Sequence, residues 1–348
     1  MMSKILAGHS YESVGQRPTS KGSPGVSVYL LASFDLCDFT ALKIKYPHRW
    51  LEVLVNILHM ITEKSFGMKF WKFNGDDFLF YKDITNALEI AEIIEDAYVF
   101  LRYMEFATRS ALRDDSFVSV AGGVWIANMT NINPLEGGDI DYTAPNFLLR
   151  DYRLNTGQDF VGINVDEGFR MCQMAYEDCI VIDPKIVYMF SSLYKQINKR
   201  DYCNRLLTTP GAKIFRSGKK RRPRMRIKNR SARGRLPLKY VNNVKKKVKA
   251  FAQRLEFVEY GSLKGVPGGS TYPIIRYVDD ERDSLANEGS TRPADNFNRL
   301  KQFFQEANTY ENVCNTINSL DVYKRRGSQL MRPLIDRPVG SRPPGFVP

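Results

Sequence analysis

The apolar residues of the first part of the chain follow strand and helix patterns in turn. Residues 26–35 (VSVYLLASFD) form a buried-strand pattern, rich in β-branched and aromatic residues and ending on a carboxylate. Apolar positions at helical spacing after Pro47 predict a helix that packs back on this strand. Two aromatic-rich runs within residues 68–81 flank Asn74-Gly75, a dipeptide that is typical of hairpin turns.

A second helix and a further strand complete a known order of elements. Apolar residues recur at helical spacing over residues 85–111, and residues 117–127 (FVSVAGGVWIA) predict another strand. The resulting order, β-α-β-β-α-β, is that of the ferredoxin-like α+β fold, in which helices pack on one face of an antiparallel sheet. We therefore expect an α+β domain of this kind.

The rest of the chain extends this domain. The pattern predicts helices over 165–175 and 185–197, a short strand over 179–182, a strand pair over 251–260 and 271–278, and one helix within 293–320. We expect a flexible leader at 1–24, one domain over 25–280, and a C-terminal extension over 281–348 that is partly helical and then disordered.

The positive charge of the chain is concentrated in one segment. The sequence has 51 Lys and Arg against 38 Asp and Glu, a net charge of +13. Residues 213–249 carry 17 of these basic residues and no acidic one, so the remainder has a net charge of −4. We expect a solvated, mobile basic insertion here, and binding of RNA or DNA through it is an alternative function.

Cysteine, histidine and hydropathy patterns exclude several classes of protein. Five scattered cysteines without a C-x-x-C pair argue against a disulfide framework or a Cys-rich zinc site, and three histidines argue against a His-rich metal centre. The first residues lack a signal-peptide core, and no apolar run approaches the roughly 18 residues of a membrane helix. A cytoplasmic protein with no membrane partner is expected.

Two carboxylates fall where the predicted topology brings them together. Asp35 ends the first strand and Asp76 lies in the hairpin beside it, and neighbouring strands are about 5 Å apart. Either residue alone is typical of a turn, whereas such a pair suits two Mg²⁺ or Mn²⁺ ions and a nucleoside triphosphate. The backbone amides of residues 37–40, which lead into a helix, are expected to face the phosphates.

Four segments, in order along the chain, resemble the sequence motifs of the class III nucleotide cyclases. They are FDLCDFT at 34–40, KFNGD at 72–76, DFVGINVDEGFRM at 159–171, and LKG at 263–265 followed by Tyr272 and Arg276. One such motif is a weak signal, but four in the correct order are unlike a chance match. The resemblance covers about residues 26–278 and implies a class III cyclase domain.

The resemblance implies metal-binding and catalytic roles. Asp35, Asp76 and the backbone carbonyl of Leu36 would bind two metal ions, and Arg170 would stabilise the negative charge that develops during catalysis. Asp166 stands where the family usually has Asn to position the ribose. Because an ionised carboxylate only accepts hydrogen bonds, ribose positioning is in doubt, and orientation of Arg170 is the alternative role for Asp166.

The resemblance also implies the substrate contacts and the assembly. Lys264 would hold the triphosphate, Phe39 and Thr40 belong to the segment that faces the phosphates, and Lys72 and Asp159 occupy the base-recognition positions. In this family the metal carboxylates and the base-recognition residues of one site come from different chains. A head-to-tail homodimer with composite active sites follows from the resemblance, and two-fold dimers are the commonest assembly.

The identity of the base is left between three nucleotides. Lys72 with Asp159 is the donor–acceptor pair of an adenylate cyclase, whereas Y-P-x-x-W at 46–50 and FWKFNGDDFLFY at 70–81 resemble the pyrimidine cyclases of bacterial Pycsar anti-phage systems. Trp50 either narrows the pocket for a one-ring base or packs in the core, and Trp71 is interpreted as a core residue. We favour UTP, giving 3′,5′-cyclic UMP that acts on a separate effector protein; CTP and ATP are the alternatives.

Two other enzyme classes share part of this pattern. The NGDD turn at 74–77 resembles the GGDEF turn of diguanylate cyclases and the GDD turn of polymerase palms. Neither class predicts the third and fourth segments, so both rank below the class III resemblance.

Overall fold

The computed structural model describes residues 26–63, 66–112, 119–132, 144–150, 157–176, 178–198, 209–210, 233–234, 238–266, 272–278, 293–318 and 320. The predicted leader at 1–24, residues 213–232 of the basic segment and the chain after 320 lie outside them.

Four antiparallel strands form the centre of the sheet. Their bounds are β1 (Val26–Leu36), β2 (Lys69–Asn74), β3 (Asp77–Ile84) and β4 (Val120–Ile132). They lie in the order β4-β1-β3-β2, and every neighbouring pair is antiparallel. The connections contain α1 (Phe39–Lys45) and α2 (Trp50–Glu63) between β1 and β2, and α3 (Ala87–Leu112) between β3 and β4. The predicted ferredoxin-like core is confirmed.

Further strands extend this core into a mixed sheet. Beyond β4 lie β7 (Ile180–Ile182), β11 (Tyr272–Tyr277) and β10 (Leu255–Gly261), and β7 runs parallel to β4. A hairpin of β5 (Asn146–Arg150) and β6 (Gln158–Gly162) also pairs with β4, through a parallel contact of β5. The sequence pattern missed this hairpin because both strands are only five residues long and each begins on a polar residue.

The remaining elements follow the predicted order. They are α4 (Ile163–Cys172), α5 (Pro184–Asn198), α6 (Leu238–Gln253), α7 (Pro293–Glu306), α8 (Tyr310–Asn318), and a separate pair of two-residue strands, β8 (Thr209–Pro210) and β9 (Arg233–Gly234). The helix predicted within 293–320 is therefore two helices, separated at Asn308, which adopts a left-handed backbone conformation with φ 55°. None of the described helices is long and apolar enough to span a membrane.

The last part of the basic segment is a packed helix. The prediction of a solvated, mobile insertion is wrong for residues 238–249, which belong to α6. Val244, Val248 and Phe251 are buried, and α6 packs against α5 and α3. Because these apolar residues recur at positions i, i+4 and i+7, they form one helical face that the high density of lysine conceals. The predicted strand over 251–260 accordingly begins only at Leu255.

Helices cover both faces of the sheet, contrary to the one-face arrangement predicted. On one face, Phe34 of β1 packs edge-to-face against Phe100 of α3, with ring centroids 5.3 Å apart. On the opposite face, Trp125 of β4 packs against Phe169 of α4, with centroids 5.3 Å apart. Side chains alternate between the two faces along each strand, and Leu31, the partner of Trp125, lies on the same face as Asp35. Asp35 therefore lies on the α4 face.

Candidate active site

Three carboxylates, Asp35, Asp76 and Asp77, lie close together where β1 ends and β3 begins, with Asp35 on the sheet face that α4 covers. Asp35 pairs directly with Asp77 across the two strands, so their side chains are neighbours on one face. The hairpin turn consists of Gly75 and Asp76, flanked by the pair Asn74–Asp77. The predicted hairpin is confirmed, but its turn lies one residue further along than Asn74-Gly75, and only Gly75 has a positive φ (75°).

Burial and neighbouring negative charge raise the pKa of Asp35 and of Asp77. Burial, followed by the charges of Asp77 and Asp76, raises the pKa of Asp35 to about 7, against a weaker opposing hydrogen bond from the Leu36 backbone amide. Burial also raises the pKa of Asp77, whose Oδ1 accepts a hydrogen bond from the Ser33 hydroxyl at 3.1 Å. Because burial and repulsion oppose the ionised form of these carboxylates, a bound divalent cation would stabilise that form.

This oxygen-rich cluster fits a divalent metal whose shell is completed by a substrate. Among the described residues, no group of three or more His, Cys, Asp or Glu side chains is arranged to enclose a metal ion by itself. Asp35 and Asp76 offer hard oxygen ligands of the kind that Mg²⁺ and Mn²⁺ prefer, and such ions usually keep several positions for substrate phosphates. The aliphatic side chain of Leu36 has no ligand atom, so only its backbone carbonyl is a candidate ligand.

The segment after β1 turns sharply before α1 begins. Asp38 has a left-handed backbone conformation with φ 56°, and the α1 helix starts at the next residue. The Cys37 amide donates to the Ser119 carbonyl at 3.1 Å, so the prediction that the amide of residue 37 faces the phosphates is wrong. Phe39 is buried, whereas Thr40 is exposed at the start of α1.

Lys72 and Asp159 form an ion pair although they are far apart in sequence. The Lys72 Nζ lies 2.9 Å from the Asp159 Oδ1, and both side chains are about a third exposed, at 36% and 33%. Phe160, the next residue in β6, packs edge-to-face against Trp71 with ring centroids 4.9 Å apart. Trp71 is buried, as predicted, and its ring lies 4.3 Å from the Lys72 Nζ. This aromatic contact holds β6 against β2 and leaves the ion pair accessible.

Arg170 lies beside the turn that follows β10. A Cβ atom placed on Gly265 would be 3.1 Å from an Arg170 guanidinium nitrogen, so the side chain crosses directly over this glycine. Lys264 is the exposed neighbour of Gly265. Asp166 is exposed one helical turn before Arg170 on α4, at the i, i+4 spacing that puts both on one side. The third and fourth motifs therefore meet in space.

Trp50 contacts the residues that follow the first motif. Its ring lies edge-on to Phe39 at a centroid distance of 6.2 Å, and Lys43 Nζ is 5.5 Å from its centre. Trp50 is partly buried against the core. These contacts give Trp50 a packing role beside α1, and its contact with substrate stays a prediction.

Sequence reasoning missed Asp77 and Cys172 as residues of the site. Asp77 faces Asp35, and counting strand partners outward from the two-residue turn would have found it. Cys172, at the end of α4, lies above Gly123 and near Asp35 and Asp77; burial first, then these two charges, raises the pKa of its thiol well above the usual value. No sequence pattern marks this cysteine.

Comparisons with known proteins find similar chain traces only among solved structures. The adenylyl cyclase CyaB from P. aeruginosa is 14% identical, over 45% of this chain and 77% of that chain, with a TM-score of 0.34. The guanylyl cyclase Cya2 is 13% identical over 77% and 98% of the two chains, and a Trypanosoma brucei adenylate cyclase is 12% identical over 77% and 93%; both have a TM-score of 0.36. No family model and no curated protein matches the sequence. The case for a function therefore rests on the side chains of this site.

Proposed function

We propose that the protein is a nucleotide cyclase of the class III type. The observation that carries this proposal is the Lys72–Asp159 ion pair at 2.9 Å, which joins the second and third motifs across 87 residues. The carboxylate cluster around Asp35 and the approach of Arg170 to Gly265 support the same reading. Neither the diguanylate cyclase nor the polymerase reading predicts a charged pair at these two positions.

The reaction joins the ribose 3′-oxygen to the α-phosphorus of a nucleoside triphosphate. The bond to pyrophosphate breaks, the 3′-hydroxyl loses its proton, and a 3′,5′-cyclic nucleotide remains. Two Mg²⁺ or Mn²⁺ ions, held by Asp35, Asp76 and the Leu36 carbonyl, supply acidification of the hydroxyl and neutralise triphosphate charge when bound. Arg170 stabilises the negative charge that grows on the α-phosphate, and Lys264 holds the outgoing phosphates.

The ribose and phosphate positions complete the substrate site. In this proposal the start of α1, with the buried Phe39 and the exposed Thr40, faces the phosphates, and the Thr40 hydroxyl supplies a polar contact. Asp166 is exposed on the same side of α4 as Arg170, and an ionised carboxylate only accepts hydrogen bonds, so its role in this proposal is to orient the Arg170 guanidinium. This leaves the usual contact to the ribose ring without its Asn donor.

A head-to-tail homodimer completes each site. Ile163 at the start of α4 is 58% exposed, and Val161, on the same side of β6 as Asp159, is also exposed. Large apolar side chains around a charged site are typical of a surface covered by a partner. A second copy of the chain would bury them and bring its own Lys72–Asp159 pair to the carboxylates of the first.

UTP is the proposed substrate, and cyclic UMP the product. The buried Trp71 and Phe160 hold the strands that carry Lys72 and Asp159, and narrowing of the pocket for a one-ring base is proposed for Trp50. The resemblance of residues 46–50 and 70–81 to Pycsar cyclases extends this to a second messenger in cytoplasmic anti-phage defence, read by a separate effector protein. Cytidylate and adenylate cyclase activities are the alternatives.

A product assay with each nucleotide tests the enzyme. The purified full chain is incubated with Mn²⁺ or Mg²⁺ and ATP, GTP, CTP or UTP separately, and products are resolved by chromatography. Conversion of UTP alone to a cyclic monophosphate is expected. Conversion of CTP or ATP would replace UTP as the proposed substrate. If none of the four nucleotides gives a cyclic product, the proposed cyclase activity is overturned.

Nucleic-acid binding is the second candidate, favoured by the surface of α6. Lys246, Lys247 and Lys249 are exposed on this helix, which contains no acidic residue, although Lys247 is paired with Glu92 of α3. Because the apolar face of α6 is buried, its charged face is what it offers to a partner, and phosphate contacts would make binding fall steeply with salt. Electrophoretic mobility shifts with RNA and DNA at two salt concentrations test this function independently of turnover.

A further inference from the structure

Glu167 has a set of buried contacts that the proposed mechanism does not use. It lies on α4 between Asp166 and Arg170, and its side chain is only 14% exposed. Its Oε2 accepts hydrogen bonds from the Lys185 Nζ at 2.9 Å and from the side-chain Nδ2 of Asn164 at 3.0 Å. Its Oε1 accepts a hydrogen bond from the Tyr272 hydroxyl at 3.0 Å. The carboxylate thus ties α4 to α5 and to β11.

The partner of Glu167 is itself anchored to the sheet. Lys185 Nζ also lies 3.4 Å from the Asp183 carboxylate, which follows β7. Asp183 accepts hydrogen bonds from the Ile126 amide of β4 at 3.1 Å and from the Lys185 amide at 2.8 Å. Lys185 is therefore held between two carboxylates at a fixed point of the sheet.

The network keeps Glu167 ionised in spite of its enclosure. Burial alone raises the pKa of Glu167, but the Lys185 charge and the hydrogen bonds from Lys185, Asn164 and Tyr272 outweigh it and lower the pKa below its usual value. The charges of Asp183 and Glu167 likewise outweigh burial and raise the pKa of Lys185. Removing one partner of such a pair leaves a buried charge uncompensated, so loss of either partner disturbs the packing of α4.

Two further contacts fix the same helix. The side-chain Nδ2 of Asn146 in β5 donates a hydrogen bond to the Asn164 Oδ1 at 2.8 Å, and its Oδ1 accepts one from the Asn164 backbone N–H at 2.8 Å. These two bonds hold the first turn of α4. Gly168 lies so close to Trp125 that an added Cβ would be 2.2 Å from the ring. With its first turn, its middle and its sheet-facing side all held, α4 has little freedom to rotate about its axis.

We propose that Glu167 is a positioning residue, which uses Lys185 and Tyr272 to set the rotation of α4 and so holds Arg170 over Gly265. This inference rests on the nucleotide cyclase function proposed above. Arg170 is three residues further along the same helix, so any rotation of α4 moves its guanidinium. A misplacement of about 1 Å in a group that acts on the reacting atoms lowers the rate by about 100-fold.

The first test compares Glu167→Gln with a matched control, Glu105→Gln. Glu105 is a buried carboxylate on α3, on the other face of the sheet, bound by Arg102 at 3.0 Å. We expect Glu167→Gln to lower kcat by tenfold or more, with KM within about twofold, while Glu105→Gln keeps the wild-type kcat at a comparable loss of melting temperature. Equal effects of the two variants on kcat would overturn the inference.

The second test places the change in an Arg170→Ala background. Since Glu167 acts through Arg170, Glu167→Gln is expected to cost little further kcat there, measured by conversion of radiolabelled nucleotide. Tyr272→Phe, which removes only the hydroxyl, serves if Glu167→Gln fails to fold, and the same dependence on Arg170 is expected. If Glu167→Gln lowers kcat by the same factor with and without Arg170, the positioning role is overturned. If the wild-type protein is inactive with every nucleotide, the proposed function itself is overturned.

Discussion

At the residue scale, the two adjacent carboxylates of the hairpin have different surroundings. Asp76 lies in the turn, whereas Asp77 pairs with Asp35 and is held by Ser33. We expect Asp76→Ala to abolish turnover and to keep the melting temperature, because it removes a proposed metal ligand and no packed group. Cyclic nucleotide formation and thermal melting measure the two effects.

Asp77→Asn is the matched control for this change. It removes the neighbouring charge at the start of β3 and keeps the acceptor for the Ser33 hydroxyl, so measurable turnover should survive. Activity retained in Asp76→Ala but lost in Asp77→Asn would show that the metal ligand is Asp77.

The same carboxylates give a pH dependence whose sign follows from Asp35. Its pKa of about 7 lies above the ordinary value near 3.8, so the folded protein binds more protons than the unfolded chain between these two pH values. Without a divalent cation, this carboxyl makes the protein less stable as pH rises through that interval. A bound cation takes the place of the proton, so the rise in melting temperature caused by Mn²⁺ should be larger at pH 8 than at pH 6.

Replacing the titrating group checks this assignment. In Asp35→Asn the group no longer titrates, and the effect of Mn²⁺ on the melting temperature should be small at both pH values. An Mn²⁺ effect in Asp35→Asn as large as in the wild type would contradict a cation at this site.

At the element scale, the sequence predicted elements whose signals are local and missed those that depend on distant partners. The core strands and α3 carry their own periodicity, and the hairpin carries its own turn residues. The strands β5 and β6 have little apolar pattern of their own. They are held by the pairing of β5 with β4 and by the packing of Phe160 of β6 against Trp71. In α6 the lysines gave a misleading polar signal, although Val244 and Val248 repeat at helical spacing.

The candidate site divides in the same way. Asp35, Lys72, Asp159 and Arg170 were predicted because motif order identifies them, and the structure brings Lys72 to Asp159 and Arg170 to Gly265. The carboxylate Glu167 was missed, although it and Tyr272 lie within the third and fourth segments, because its contacts to Lys185 and Tyr272 span 18 and 105 residues. A buried ion pair of this kind has no local sequence signal.

The contact between α4 and the sheet can be tested at one glycine. Gly168→Ala places a methyl group against the Trp125 ring and should lower the free energy of unfolding by about 1–3 kcal/mol, as overpacking does. Chemical denaturation measures this change. In a Trp125→Ala background the ring is gone, and Gly168→Ala should become neutral or stabilising by up to about 1 kcal/mol, because alanine favours helix over glycine. The same loss in both backgrounds would contradict the contact.

At the scale of the whole molecule, the C-terminal helices α7 and α8 are part of the folded core and are not an extension appended to it. Leu300, Phe304 and Ile317 are buried, and Tyr188 of α5 packs edge-to-face against Phe304 at 5.6 Å. Phe303 packs against Tyr272, the donor to Glu167, and Thr316 accepts a hydrogen bond from Asn128 of β4 at 2.8 Å. The predicted boundary at 280 therefore separates a sequence motif from the helices that enclose its core.

Truncation distinguishes an appended extension from an integral part of the fold. A chain ending at 292 loses the buried side chains of Leu300, Phe303, Phe304, Val313, Ile317 and Leu320. At roughly 1.5–3 kcal/mol for each large apolar side chain, the loss matches or exceeds a typical net stability of about 5–15 kcal/mol. We expect residues 1–292 to be insoluble or unfolded by circular dichroism, and residues 1–322 to melt like the full chain. A folded, active 1–292 protein would show that α7 and α8 are dispensable and that the chain of contacts from Phe303 through Tyr272 to α4 has no role in turnover.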